Sequence, residues 1–198
     1  MYADFLDLIE LLNKHNAKYL IIGGYAVGFH SQGRATKDLD ILILPAPDNA
    51  KAVFNALREF GAPLRTKTDA QDAHRFASRG AITAKDFEDD DTWFMMGTPP
   101  IAIDILAKIP GVVFDTAWKN RITVMLDVPR NLTAQVISRD DLIAAKLAAG
   151  RPQDLLDVKA IQQAQADAAQ ELTARKKASK PATPKAKRKL KKKPQPKP

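Results

Sequence analysis

Two carboxylates that follow a pair of glycines form the most chemically suggestive part of the sequence. Gly23 and Gly24 come after the apolar run Tyr19–Ile22, and Asp38 and Asp40 open a second apolar run, DLDILIL. Adjacent glycines permit a sharp backbone turn and the close approach of a ligand. A helix that begins at such a turn points N–H groups and the positive end of its dipole at an anion, most often phosphate. The segment therefore predicts a place where phosphate and two carboxylates meet.

The two aspartates are expected to share one face of a strand. Alternate side chains of a strand point the same way, so Asp38 and Asp40 project together while Leu39, Ile41 and Ile43 face the core. Two carboxylates on one face repel each other unless a cation neutralises them. Hard oxygen ligands favour Mg²⁺, which predicts a magnesium site.

A third carboxylate, Asp104, is the only charged residue in the apolar run Ile101–Leu106. Burial of an unpaired carboxylate among apolar residues would be costly. If this strand lies beside the one that begins near Asp38, Asp104 completes a cluster of three carboxylates. Two-metal phosphoryl-transfer sites need such a cluster, with ions about 3.5–4 Å apart.

Hydrophobic periodicity and turn residues predict the elements that position these side chains. The predicted helices are Asp4–Asn16, Tyr25–His30, Asp48–Phe60 (N-cap Asp48, stop Gly61), Asp140–Ala149 (stop Gly150) and about 152–170. The predicted strands are Tyr19–Ile22, Asp38–Leu44, Trp93–Met96, Ile101–Leu106, Arg121–Val128 and Leu132–Ile137, the last two forming a hairpin. Residues 62–92 are expected to be largely irregular, and Trp93 and Trp118 are expected to serve in packing. The fold class is α/β (α+β), a small mixed sheet flanked by helices.

Composition excludes several classes of protein. The 198 residues include no cysteine, so there is no disulfide, thiol nucleophile or cysteine-based zinc site. No stretch approaches the roughly 18 uncharged apolar residues that a membrane helix needs. The acidic, amphipathic start of the sequence does not resemble a signal segment. These features predict a cytoplasmic protein without a membrane span.

Charge is segregated along the chain. Twelve of the 31 Lys and Arg residues lie in 175–198, which contains five prolines and no acidic residue, so residues 1–174 have a net charge of −4. We expect a folded domain at 1–172 and a disordered Lys/Pro/Ala-rich tail at 173–198. The tail would bind phosphate backbones, such as RNA, without sequence preference, or would serve only to keep the protein soluble.

The order and spacing of these motifs resemble the polymerase-β-like nucleotidyltransferase superfamily. Gly23-Gly24, thirteen intervening residues, the pair Asp38-Leu39-Asp40 and a distant third carboxylate match its signature. The stretch from Ser138 to Asp157 is similar to the helical segment of small bacterial nucleotidyltransferases, including AbiEii-like toxins. Together the likeness covers about residues 4–165.

The resemblance implies Mg²⁺-dependent transfer of a nucleoside monophosphate from an NTP, with ATP as one candidate. It implies catalytic and metal-binding roles, with two ions, for Asp38, Asp40 and Asp104. It implies contacts with the nucleotide for Gly23, Gly24, Arg34, Thr36, Lys37, Lys146, Arg151, Asp154 and Asp157. It also implies release of pyrophosphate.

The acceptor is left open by the resemblance. The basic tail favours RNA, such as a tRNA end, as in toxin-type enzymes of toxin–antitoxin systems. Alternatives are a small molecule of the aminoglycoside type, or a protein side chain on a partner toxin or antitoxin. A non-catalytic nucleic-acid-binding protein with this fold is a further alternative, although the presence of all three carboxylates argues against it.

Overall fold

A computed structural model describes residues 1–31, 35–62, 82–91, 93–98 and 101–178. The chain divides into two compact units, Met1–Gln165 and Ala166–Pro198. Every element and contact discussed below lies in the first unit, apart from the continuation of the last helix into the second.

The described residues contain six α-helices and six β-strands. The helices are α1 (Ala3–Lys14), α2 (Gly23–His30), α3 (Pro47–Phe60), α4 (Phe114–Asn120), α5 (Arg139–Ala149) and α6 (Pro152–Ala178). The strands are β1 (Tyr19–Ile21), β2 (Leu39–Ile43), β3 (Trp93–Thr98), β4 (Ile101–Leu106), β5 (Ile122–Asp127) and β6 (Leu132–Val136). A 3-10 helix covers Ala84–Glu88.

The strands form one mixed sheet in the order β3-β4-β2-β1-β6-β5. The pairs β2–β4 and β1–β6 are parallel, whereas β1–β2, β3–β4 and β5–β6 are antiparallel. The two central strands, β1 and β2, are buried almost throughout, which explains their near-continuous apolar sequences. The predicted mixed sheet flanked by helices is confirmed, as is the hairpin of β5 and β6.

The core is built from the apolar stripes that the periodicity indicates. Phe5, Leu8, Ile9 and Leu12 of α1 are all buried. Two predicted helix ends are confirmed. Gly61 ends α3 and Gly150 ends α5, and each has a positive φ that favours glycine.

Several boundaries differ from the predictions for physical reasons. Helix α2 begins at Gly23 itself instead of after the glycines, and Ala46 precedes α3, so Asp48 lies in its first turn and is not the N-cap. Helix α4 was not predicted because its seven residues are too few to show a helical period. Helix α6 continues to Ala178, past the expected end near residue 170.

No helix in these described ranges is both long and apolar enough to cross a membrane. Most of the segment predicted to be irregular, residues 63–81 and Thr92, lies outside the described residues. The part of it that is described includes the 3-10 helix, where Thr83 and Asp86 form a capping box.

Candidate active site

The strand register brings two of the three predicted carboxylates side by side. Strands β2 and β4 are parallel neighbours, and Asp40 lies directly opposite Asp104. Asp38 comes one residue before β2 begins. Residues opposite each other in a sheet project from the same face, so Asp40 and Asp104 point to the same side.

Hydrogen bonds fix the carboxylates of Asp38 and Asp104. The backbone N–H of Ala102 donates to Oδ1 of Asp38 at 3.1 Å. The indole Nε1–H of Trp93 donates to Oδ1 of Asp104 at 3.1 Å. Among the described residues, each of these bonds uses one carboxylate oxygen of its aspartate.

The glycine pair makes room for Asp40. Gly23 has φ of +60°, and a Cβ atom there would lie 1.8 Å from Oδ2 of Asp40. A Cβ on Gly24 would lie 2.6 Å from Oγ1 of Thr36. The backbone N–H of Gly24 donates a hydrogen bond to the Asp40 carboxylate. At least one N–H group at the start of α2 is therefore directed at Asp40, a carboxylate of the protein itself.

Negative charge accumulates at this face of the sheet. Burial, together with the charges of Asp104 and Asp38, raises the pKa of Asp40 to about 6, although the bond from Gly24 and the charge of Lys146 act to lower it. Burial and the charge of Asp38 also raise the pKa of Asp104, while the bond from Trp93 lowers it. An excess of carboxylate charge that the protein does not neutralise is the electrostatic environment that favours a bound cation.

The donor set fits magnesium chemically, with a condition on spacing. Within the described residues, only Asp89, Asp90 and Asp91 offer three carboxylate oxygens all within 4.8 Å of one another. The oxygens of the three site aspartates are therefore more widely spread. Mg²⁺ binds its ligands at about 2.0–2.1 Å, so one ion spans only about 4 Å between opposite ligands. In this arrangement the three carboxylates together exceed the span of a single ion.

The acidic run Asp89–Asp91 is not supported as a metal site. All three side chains are exposed and adjacent in sequence, and acidic groups of this kind are common on protein surfaces. Asp90 is also paired with Lys108 at 3.4 Å. The run is consistent with a solvated surface loop.

The remaining predicted residues fall into three groups. Thr36 packs against Gly24, and Lys37 is exposed just before the carboxylates. Arg34 lies outside the described residues. Lys146, Arg151, Asp154 and Asp157 form one cluster of ion pairs where α5 meets α6.

Trp93 is a site residue that the sequence reasoning missed. It was expected to serve in packing, but 50% of its surface is exposed and its indole holds Asp104. Trp118, in contrast, packs against the core and stacks on Phe114 as expected. Strand pairing explains this role: Met95 lies opposite Asp104 and Trp93 lies opposite Leu106, so the indole reaches Asp104 from two residues away along the neighbouring strand.

A family model described as "Nucleotidyltransferase of unknown function (DUF6036)" matches residues 3–180. The chain belongs to this nucleotidyltransferase family. The superfamily predicted from the glycine pair and the carboxylates is thereby confirmed, and an NTP is the substrate that such a family implies. No match is found among the curated proteins.

Proposed function

We propose that this nucleotidyltransferase moves a nucleoside monophosphate from an NTP to an acceptor hydroxyl in a Mg²⁺-dependent reaction. The observation that carries the proposal is the parallel pairing of β2 and β4, which sets Asp40 opposite Asp104 with Asp38 one residue before the strand. Three carboxylates at one edge, next to a helix that starts at a glycine pair, are the parts that phosphoryl transfer requires.

The residues have distinct roles in the proposed reaction. Asp38 and Asp40 would hold the ion that carries the triphosphate, and Asp104 would hold a second ion beside the acceptor. When bound, the ions would neutralise the phosphates and lower the pKa of the acceptor hydroxyl. The acceptor oxygen forms a bond to the α-phosphorus, the bond from that phosphorus to the leaving oxygen breaks, and pyrophosphate departs. The hydroxyl proton is lost to solvent.

Residues before β2 would help to bind phosphate. Lys37 is exposed next to Asp38, and Thr36 lies against the glycine turn. Arg34 is close to both in sequence. Catalysis would depend on the positioning of the triphosphate and on electrostatics, since no covalent intermediate with the protein is needed.

RNA is the proposed acceptor class, in the manner of toxin-type nucleotidyltransferases. The supporting observation is the twelve Lys and Arg residues between 175 and 198, against a net charge of −4 in the rest of the chain. Such a segment gains affinity for a phosphate backbone through counterion release, and this affinity falls steeply with salt.

A small-molecule acceptor is favoured by one feature of the structure. A cavity of about 540 Å³ lies beside Trp93 and Leu106, with the loop Lys108–Val113 and the acidic Asp90 and Asp91 in its wall. The indole that lines this cavity also holds Asp104. A small acceptor with a positive charge would suit such an acidic and aromatic wall.

A labelling experiment tests the proposal. The purified protein is incubated with Mg²⁺ and each α-labelled NTP, together with cellular RNA, soluble protein and a small-molecule extract. The matched variants are Asp104→Asn in the site and Asp115→Asn, an exposed aspartate on α4. We expect label to enter RNA with wild type and Asp115→Asn, and to fall at least 100-fold with Asp104→Asn, since two-metal catalysis needs its carboxylates.

The destination of the label separates the candidates. Label in the extract would replace RNA with a small acceptor, and label in a protein band would indicate a partner toxin or antitoxin. If a correctly folded protein transfers label from none of the NTPs to any fraction, the proposed transfer is contradicted.

A further inference from the structure

Four charged side chains join α5 to the start of α6. The ammonium of Lys146 donates to Oδ1 of Asp154 at 3.0 Å and to Oδ2 of Asp157 at 2.7 Å. Arg151 donates to Asp154 through Nε at 2.6 Å and through Nη2 at 3.2 Å. Gln153 donates to Oδ1 of Asp157 at 2.9 Å. The cluster has no net charge, because two cations face two carboxylates.

Lys146 is enclosed within this cluster. Its side chain is 7% exposed, and those of Asp154 and Asp157 are each 2% exposed. If its ammonium turned outward to a phosphate, it would leave Asp157 buried without its cation. Breaking one partner of a buried pair is strongly unfavourable, so Lys146 is suited to joining the two helices and unsuited to binding a ligand.

Arg151 has the opposite character. Its side chain is 76% exposed, although Asp154 fixes it through two hydrogen bonds. These bonds use two of the five N–H groups of a guanidinium. The hydrogen bonds and the charge of Asp154 chiefly raise the pKa of Arg151, and the charge of Asp40 in the carboxylate site raises it further. A planar guanidinium held in place is well suited to phosphate oxygens.

We propose, on the basis of the proposed function, that Arg151 binds the triphosphate of the NTP and that Asp154 holds Arg151 in position. Lys146 and Asp157 join α5 to α6 and do not touch the nucleotide. The resemblance alone gives all four residues a contact with the nucleotide. The burial and the bonding of the cluster divide them into one ligand, Arg151, one positioning residue, Asp154, and two residues that join the helices.

The first experiment measures binding of Mg²⁺-tripolyphosphate and of Mg²⁺-ATP by calorimetry. Arg151→Gln is compared with Arg130→Gln, because Arg130 is also paired with a carboxylate, that of Asp7, in another part of the fold. We expect about a tenfold or greater loss of affinity for both ligands with Arg151→Gln, since a bond to a charged group contributes about 1.5–3 kcal/mol. Arg130→Gln should bind as wild type does.

The second experiment tests Lys146. Because Lys146→Met alone would leave two buried carboxylates with one cation, the double variant Lys146→Met/Asp157→Asn is used to keep the charge balanced. We expect it to bind tripolyphosphate within about twofold of wild type. A loss as large as that of Arg151→Gln, in a variant with a native circular dichroism spectrum, would show that Lys146 is itself a ligand and would overturn the proposal.

A third measurement needs only the wild-type protein, so it holds even if the double variant fails to fold. Phenylglyoxal should modify Arg151, and tripolyphosphate should slow this modification at least fivefold. Acetic anhydride should leave Lys146 unmodified with or without the ligand, because the side chain is enclosed. Equal modification of Arg151 with and without the ligand would overturn the proposal.

The outcomes separate the role of Arg151 from the proposed function. Wild type that binds neither tripolyphosphate nor any NTP would remove the proposed function and the role of Arg151 together. Wild type that binds and transfers nucleotide, with Arg151→Gln equal to it in both respects, would remove only the role of Arg151.

Discussion

Asp40 links the carboxylates of the candidate active site to its glycine turn. It lies opposite Asp104, accepts a hydrogen bond from the N–H of Gly24, and occupies space that only a glycine at position 23 leaves open. Burial and two like charges disfavour its ionised form in the absence of a cation. The unfavourable ionisation of Asp40 therefore lowers the stability of the metal-free protein. Such a cost is common at sites that bind a charged ligand.

We expect Asp40→Asn to stabilise the metal-free protein at pH 8. The pKa rises from 3.8 to about 6 on folding, which corresponds to a gain of up to about 3 kcal/mol on removal of the charge. Below pH 3.8 the carboxyl is neutral in both states, so the advantage of the variant should vanish there and grow as pH rises to about 6. Urea unfolding of the metal-free protein at pH 3 and at pH 8 measures both values.

The same comparison has a clear contrary result. An equal difference in stability between Asp40→Asn and wild type at the two pH values would show that the charge of Asp40 is not the cause. Asp115→Asn, at an exposed position, supplies the control for the loss of one negative charge. Addition of Mg²⁺ should stabilise wild type more than Asp40→Asn, because the variant lacks one of the three carboxylates proposed to hold the ions.

Trp93 should affect turnover more than folding. Trp93→Phe keeps an aromatic ring on a half-exposed position and removes the hydrogen bond to Asp104. Partners that orient a metal-binding carboxylate typically contribute about 10–100-fold to metal affinity or activity, so we expect a loss of at least tenfold in transfer. The midpoint of thermal unfolding should move by only a few degrees. Mg²⁺ titrations of activity for both proteins provide the measurement, and unchanged titrations would contradict the role.

At the scale of elements, the turn between β1 and α2 is the most constrained local structure of the site. The turn must bring the first residues of α2 next to Asp40, and Gly23 reaches this arrangement with φ of +60°. A side chain in this conformation is strained, and here it would also collide with a neighbouring strand. The glycine pair thus allows the first turn of a helix to approach β2 closely.

Two glycines of the same helix give a matched test. A Cβ on Gly23 would lie 1.8 Å from Oδ2 of Asp40, whereas a Cβ on Gly28 would meet no atom of the described residues within 4 Å beyond its own stretch of helix. Gly23→Ala should cost about 2 kcal/mol or more and abolish transfer, because Asp40 must move. Gly28→Ala should leave transfer intact and stabilise the protein by up to about 1 kcal/mol, as expected for alanine in a helix. Urea unfolding and the labelling assay measure both effects.

An active Gly23→Ala variant would show that Asp40 tolerates displacement, which would weaken its proposed role. A strongly destabilised Gly28→Ala would show instead that α2 as a whole admits no change. Only the contrast between the two variants supports the close approach inferred for Gly23.

At the scale of the whole molecule, charge is divided between an acidic body and a basic end. The net charge of +8 comes from residues 175–198, since residues 1–174 carry −4. An acidic body would repel RNA, so the proposed RNA acceptor depends on the basic end for its attraction. The first site of contact and the site of chemistry would then lie in different parts of the sequence.

Removal of residues 179–198 should separate attraction from chemistry. The truncation leaves α6 complete to Ala178 and deletes nine of the Lys and Arg residues. We expect RNA affinity at low salt to fall at least tenfold and its salt dependence to become shallower, because fewer phosphates are neutralised. Affinity for Mg²⁺-ATP should stay within about twofold of the full chain. Filter binding at several salt concentrations and calorimetry measure these values.

A full-length variant with the same nine residues changed to Gln is the control for chain length. Equal RNA binding by the full chain, the truncated protein and this variant would contradict a role for the basic end. It would shift the balance towards a small-molecule or protein acceptor.

The sequence by itself determined the parts whose signals are local. The apolar stripe of α1, the stops at Gly61 and Gly150, and the hairpin of β5 and β6 could be predicted because spacing and turn residues express them directly. The glycine pair and the Asp-x-Asp pattern likewise indicated the nucleotidyltransferase class that the family match confirms. Helix α4 escaped because a helix of seven residues carries too little periodicity.

Only the tertiary structure decided which residues meet. The pairing of Asp40 with Asp104 depends on β2 and β4 being parallel neighbours, and this contact between residues far apart in sequence has no local signal. The burial of Lys146 between Asp154 and Asp157, with Arg151 left exposed, depends on how α5 and α6 meet. Residue types indicate a possible chemistry. Distance and burial decide whether a charged side chain can contact a ligand or is already paired with a neighbouring residue, and both are defined only in the packed chain.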